Sequence, residues 1–432
     1  MFHPNRNLIP LLLLFTLPAA AQVDPLGRSV LFIRGSSGSG GLGQGTASQR
    51  TEHLSGIENR STQPGNHGFG ALADRLRQEG FQVSQWVESQ GSLTAARLAP
   101  HRVVVFGSNN RTYSAAEIKV FHDWFDAGGS ALFISDANWG PNFNAAPASD
   151  NLFLARYGMS VYQDSASGVP VMRRSDPGRF ALPGHPLLSG PDGSGGQNDV
   201  QAYEGEGVSY FNAAGNAGYQ PRVVVSATGF QVRQLDPLGI GPLTAAGPSD
   251  GALVVLTRGN SVIVGHFDRN SFFNPGGTGS DLTRRDNRQL ALNIFRFLAS
   301  VPGAINPVGS GCGAGPPVLG VDAVALGRDQ TWSVTAAAPG APGLLWLGAG
   351  PSSPLGIAPG CTFHPSLSPG FGLLLPAADA QGRTFLKLTL PGGLELSGQT
   401  VTGQALLARP GGPLLGAAEL SNGVEVVLGF SR

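Results

Sequence analysis

The chain has 432 residues, enough for two or three domains. Its 28 Lys+Arg balance 28 Asp+Glu, and a formal net charge of zero argues against nucleic acid or an anionic membrane surface as the main partner. Only 13% of residues are charged, against 64 Gly and 33 Pro, so long loops and many turns are expected.

Met1–Ala21 has the make-up of a secretory signal peptide: Arg6 ahead, apolar Leu8–Leu17, then small Ala19-Ala20-Ala21. The apolar run is too short for a membrane span, and no other stretch approaches the ~20 apolar residues that one needs. The mature chain is therefore expected to be secreted, periplasmic or on the cell surface. There Cys312 and Cys361, the only two cysteines, would pair as a disulfide. Ser29–Ile33 is the first predicted strand. The loop after it, Arg34 to Gly68, is unusually long and rich in Gly and Ser, which marks it as functional or disordered. A helix is predicted over Phe69–Glu79, with Phe69, Leu72 and Leu76 on one face, then a strand over Gln82–Val87.

The next stretch carries the strongest signal. Val103–Phe106 and Ala131–Ile134 are apolar on consecutive residues, as suits strands buried on both faces of a parallel sheet. Between them Ser114-Ala115-Ala116-Glu117 has the capping-box pattern, Ile118, Phe121 and Phe125 recur at helical spacing, and Gly128-Gly129 ends the helix. This is a right-handed βαβ unit. Beyond Asp136, a polar loop (Ala137–Asp150), a short helix over Asn151–Tyr157 and a strand near Met159–Tyr162 are expected. Residues 165–220 give no regular pattern. Strands resume at Arg222–Ala227, Ala252–Thr257 and Ser261–Phe267, the last two joined by a hairpin turn at Asn260, and an amphipathic helix runs from about Asp286 to Ala299. The composition of Val301–Pro317 is that of a linker. Val318–Arg432 shows short apolar runs (Trp332–Thr335, Gly343–Leu347, Phe371–Leu375, Thr384–Leu390, Val424–Phe430) between Pro/Gly turns, the pattern of an all-β sandwich. The expected organisation is a signal peptide (1–21), a flavodoxin-like, doubly wound, mostly parallel α/β domain (22–300), a linker (301–317) and a β-sandwich (318–432).

The βαβ unit and the ending RGNSVIVGHFDRNSFFN…DNRQLALNIFRFLA resemble the class I glutamine amidotransferase-like fold, over about Ser29 to Ser300. They are closest to its noncatalytic or trehalose-utilisation-type bacterial members. The part from about Gly311 resembles a sandwich module at the ends of secreted bacterial proteins. In the family, glutaminases place a Cys nucleophile on the turn after a central strand. Here that turn is Ser135-Asp136-Ala137-Asn138, and the domain has no Cys, so the resemblance does not imply glutaminase activity.

In a doubly wound sheet ligands bind outside the carboxyl ends of the strands, where strand order reverses. That places Arg34, Gly35, Ser36, Asn109 and Asn110 at a ligand-binding edge, with His67 approaching it from the loop. Asp136, His266 and Asp268 would join them if the strand of His266 runs parallel, giving a candidate catalytic cluster of carboxylates and an imidazole; the same residues also serve to end strands and cap loops. The loop GSSGSGGLGQG lacks the Gly-Lys-Ser/Thr ending of a phosphate cradle. Glu204 and Glu206 would share a strand face as a carboxylate pair of the kind used in glycoside hydrolysis. No HExxH, CxxC or GxSxG pattern is present, and no cofactor or metal is implied. Two readings follow. One is a noncatalytic exported protein that binds a small molecule, glycan or protein. The other is a secreted hydrolase, metal-assisted or not, acting on a carbohydrate-type substrate through Asp136, His266 and Asp268.

Overall fold

Apolar runs buried on both faces build the centre of the molecule. A computed structural model describes residues 28–34, 56–60, 68–107, 112–134, 145–163, 168–190, 198–206, 208–234, 241–276, 279–313, 315–322, 324–391 and 396–429. β1 (Ser29–Arg34), α1 (Gly70–Gln78), β2 (Gln82–Val87), α2 (Ala95–Leu98), β3 (Val103–Phe106), α3 (Ala115–Asp126) and β4 (Ser130–Phe133) alternate along the chain. After α4 (Ala145–Leu154) come short pieces: β5 (Ser160–Val161), β6 (Val171–Arg173), α5 (Pro186–Ser189), β7 (Ala202–Glu204), β8 (Phe211–Asn212), β9 (Arg222–Ser226), β10 (Gln231–Arg233) and β11 (Leu243–Ala245). The hairpin of β12 (Asp250–Arg258) and β13 (Ser261–His266), then α6 (Asn287–Ala299), completes this part. Its turn is Gly259-Asn260, with Arg258 opposite Ser261 and Gly259 at φ 54. That positive φ suits Gly.

β2, β1, β3, β4 and β13 are parallel neighbours in that order. Antiparallel β12, β8 and β5 extend the sheet, and β9 also pairs with β12. β1, β3, β4 and β13 are buried at every position, because helices cover both faces. On one face Leu72 and Leu76 of α1 and Leu290, Ile294 and Phe297 of α6 pack with Val30, Val105 and Val264. On the other, Phe121 and Phe125 of α3 and Phe153 of α4 pack with Leu31, Val104 and Ile263.

The expected capping box is formed. The Ser114 hydroxyl accepts the Glu117 N–H, and Glu117 accepts the Ser114 N–H at 3.0 Å. The second oxygen of Glu117 accepts the buried Leu93 N–H at 2.8 Å, so this side chain also ties the end of the β2–α2 connection to α3. Ser114→Ala is expected to cost about 1 kcal/mol and Glu117→Ala about 2 kcal/mol, since the latter leaves two backbone donors unpaired. Urea unfolding of the two variants checks the order.

The chain continues as strand: β14 (Ala304–Val308), β15 (Val318–Val321), β16 (Asp329–Thr335), β17 (Gly343–Ala349), β18 (Leu355–Ala358), β19 (Cys361–Phe363), β20 (Gly370–Leu375), β21 (Thr384–Thr389), β22 (Thr400–Ala408) and β23 (Ala418–Val427). One antiparallel sheet has the order β14-β23-β22-β17-β20 and another β15-β16-β21. Trp332 and Val334 of the second share a buried cluster with Leu345, Leu375, Leu407 and Val426 of the first. Residues 304–308, inside the stretch expected to be a linker, form an edge strand on β23. Pro307 conceals it from a propensity argument, because Pro is tolerated where only one neighbour pairs. Cys312 and Cys361 form the expected disulfide, with Cα atoms 5.0 Å apart, and Leu420 packs beside it.

Candidate functional site

β13 is parallel to β4, so its carboxyl end joins those of β1, β3 and β4 at one edge. By alternation from Phe32, Val105, Leu132 and Val264, the residues on the α1/α6 face at this edge are Arg34, Gly107, Ile134 and His266. Arg34 and His266 are both buried, and three strand spacings of ~4.8 Å separate their backbones by about 14 Å. Phe69 fills the interval. A Cβ at Gly107 would lie 3.0 Å from the Phe69 ring, and that ring meets Phe273 at 5.2 Å and Phe32 at 5.8 Å. Among the described residues, aromatic packing occupies this face of the edge. Gly35, Ser36, His67, Asn109, Asn110 and Asp136 lie outside the described residues.

His266 is fully buried, with Phe272, Phe267 and Tyr203 rings at 4.7, 5.0 and 5.6 Å. Burial pushes its pKa down to about 3, against the opposing effect of a backbone hydrogen bond. That bond joins Nδ1 to the Asp268 carbonyl at 2.8 Å. The imidazole is thus neutral at pH 7, and its Nδ1 is held by the Asp268 backbone, 2.8 Å from the carbonyl and 3.3 Å from the N–H. Nε2 is buried with no hydrogen-bond partner among the described residues.

The Asp268 carboxylate is directed elsewhere. Oδ2 accepts the Glu206 N–H at 2.6 Å, and Oδ1 accepts the Asn270 N–H at 2.8 Å at the start of a 3₁₀ turn, Asn270–Phe272. A Cβ at Gly205 would stand 2.6 Å from Oδ2, so only Gly lets the two loops approach this closely. Asp268→Ala would strip two backbone donors of their acceptor. A loss of about 3 kcal/mol is expected in urea unfolding, with Asp268→Asn losing less because one oxygen remains.

The carboxylate pair expected on one strand face is not formed, because β7 ends at Glu204 and Gly205 turns the chain toward Asp268. Glu204 is 3.3 Å from Arg285, and its carbonyl accepts the Ser271 and Ser280 hydroxyls at 2.7 and 2.9 Å. Sequence reasoning also missed Asn274. Its Oδ1 accepts the Ala71 N–H at 2.8 Å and its Nδ2 donates to Asn59 at 2.7 Å, anchoring the loop after β13 to the start of α1. The only sequence signal was the polar loop itself. Among the described residues no group of three or more His, Cys, Asp or Glu is placed to hold a metal ion.

A cavity of about 690 Å³ lies at the opposite, amino edge of the parallel strands. Arg28, Arg102 and Gly129, ahead of β1, β3 and β4, line one side, and Ser397 and Gln399, ahead of β22, line the other.

No protein-family model matches the chain, and no curated protein matches it. Among solved structures it is similar to the mmIFT52 N-terminal domain, at 15% identity over 63% of this chain and 97% of that one, with a TM-score of 0.37. It is also similar to the cytoplasmic protein STM1381 from Salmonella typhimurium LT2, at 15% identity over 62% of this chain and 96% of that one, with a TM-score of 0.32. A third match, the cytoplasmic protein STM3548 from Salmonella typhimurium, has 16% identity over 62% of this chain and 98% of that one, with a TM-score of 0.34. Likeness at this level carries no argument about activity.

Proposed function

We propose that the chain is an exported, noncatalytic binding protein. An amidotransferase-like α/β domain of flavodoxin-like strand order holds a small molecule, glycan or protein, and a C-terminal β-sandwich serves for attachment or interaction. The observation that carries this reading is the use made of His266 and Asp268. The imidazole is buried under Phe272 with a pKa far below working pH, and the carboxylate is engaged by two backbone amides. A general base needs a pKa near the operating pH and access to its substrate; the burial of His266 and its lowered pKa speak against that role. The chain's two cysteines are bonded to each other, which leaves no thiolate for acyl transfer and suits an oxidising compartment. Among the described residues no helix is long and apolar enough to cross a membrane.

The test combines two screens on the full mature chain. A thermal-shift screen of metabolites and glycans is expected to find a ligand that raises Tm, because anything that binds only the folded state stabilises it. A turnover screen with chromogenic glycosides, esters and glutamine is expected to stay at background. Turnover that disappears in Asp136→Ala or His266→Gln would overturn this reading in favour of the hydrolase.

A further inference from the structure

We propose that the cavity at the amino edge of the parallel sheet binds a neutral oligosaccharide. This inference deepens the binding-protein reading, on which it rests, by supplying a place and a ligand class. The floor comes from the residues that precede successive parallel strands, together with Asn260 in the turn before β13. The opposite wall is Val301, just after α6, and the 397–399 turn. These two are joined by the Val301 N–H donating to Ser397 Oγ at 3.1 Å. Small-molecule sites favour such junctions between structural units, and about 690 Å³ is within the usual range of roughly 300–1,000 Å³.

Two of the charged groups around the cavity, Arg102 and Asp123, already have partners within the fold. A right-handed α/β arrangement brings helix carboxyl ends to the amino edge of the sheet, and with them partial negative charge. Arg102 answers this by donating to the backbone carbonyls of Asn260 and Ser300, the latter at 2.9 Å and just past α6. Arg28 lies against the end of α1, where a Cβ at Gly80 would be 2.7 Å from its Nη1. Asp123 is held by Lys119 at 2.6 Å. The partners held by Arg102 and Asp123 favour an uncharged ligand over an ionic one here.

What remains for recognition is an indole and uncharged polar groups. Trp124 is fixed by its Nε1–H, which donates to the His101 carbonyl at 3.0 Å, and by its ring lying on Gly129, where a Cβ would be 2.3 Å from Cε2. The ring is half-buried and lines the cavity. Asn260, Ser397 and Gln399, whose side chains carry two amides and a hydroxyl, line the same cavity. A rigid apolar plate suits the C–H face of a pyranose, and amides with both donor and acceptor suit paired hydroxyls.

The test measures binding of the full mature chain to an array of neutral, sulfated and sialylated oligosaccharides. Trp124→Ala removes the plate but also a packed ring, so the decisive variant is Ala99→Trp. Ala99 is exposed on the cavity rim, and an indole there fills the space. Gln399→Ala removes an amide while leaving its backbone bonds. The wild type is expected to bind neutral glycans. Ala99→Trp and Gln399→Ala should weaken binding at least tenfold at unchanged Tm, while His266→Gln, at the opposite edge, should bind as the wild type does. Undiminished binding in Ala99→Trp would overturn the site and leave the binding-protein reading intact. A preference for charged glycans, or no binding on the array, would overturn the inference. Turnover of a glycan whose binding Ala99→Trp abolishes would uphold the cavity and overturn the noncatalytic reading.

Discussion

Between pH 7 and pH 4 the protein is expected to lose several kcal/mol of stability, with His266 the largest source among the described histidines. Its folded pKa of about 3 lies well below the unfolded value near 6.5. A depressed histidine leaves stability complete above its unfolded pKa and withdraws it as pH falls toward the folded one. The window is therefore about pH 6.5 to 3, at up to about 1.4 kcal/mol per pH unit, or about 3 kcal/mol by pH 4. Among the described residues the groups facing the ring are the Tyr203, Phe267 and Phe272 side chains and the Asp268 backbone, none of them charged. His185 acts in the same direction. Burial first, and Arg222 second, push its pKa down to about 4, and its Nδ1 accepts the Leu187 N–H that caps α5. Carboxylates titrating below pH 5 lower the stability of every variant alike. The diagnostic is thus the difference in slope between wild type and His266→Gln in urea unfolding from pH 8 to pH 4. A flatter profile is expected in the variant; equal slopes would remove His266 as the source.

Replacing both Cys312 and Cys361 by Ser is expected to cost about 4 kcal/mol, from the chain entropy that a 49-residue closure removes in the unfolded state. The loss should be local. The bridge fixes the β18–β19 hairpin beside Leu420 of β23, and both sulfurs are buried there. Amide exchange should quicken in β17, β22 and β23, while β1, β3 and β4, which belong to other clusters, keep their protection. Uniform loss of protection across both sets would show that the two regions unfold as one cooperative unit.

The sequence made the parallel sheet legible because each of its inner strands is a continuous apolar run and α1, α3 and α6 show a 3.6-residue period; α4 has none, and it starts at Ala145, inside the expected loop Ala137–Asp150. The same logic located α3 to within a residue, through Ser114, Glu117 and Gly128. It failed between residues 165 and 220, where β6, β7 and β8 are two or three residues long and owe their conformation to tertiary pairing rather than local pattern. At the candidate site, position was legible and role was not. That His266 and Asp268 stand at a strand end follows from their place after Val262–Val264. That the carboxylate braces Glu206 as well as the nearby Asn270 depends on a loop more than 60 residues distant in sequence. The amino-edge cavity left no signature at all, since its lining is gathered from α2, α3, the end of α6 and several separate turns.

The pairing of β4 with β13 has a consequence for how the chain assembles. Ser130 and Val262, hydrogen-bonded neighbours in the finished sheet, are 132 residues apart in sequence. As the polypeptide emerges from the ribosome, β1 to β4 can associate early, but the far side of β4 stays open until the second half of the α/β region has appeared. Such non-local closure slows folding, and an unpaired apolar strand invites association between chains meanwhile. Fragments that stop before residue 261 would carry that open edge permanently and are expected to be insoluble, however complete their helices. Expression boundaries for this region are therefore set by the arrival of β13, not by the end of the recognisable βαβ unit.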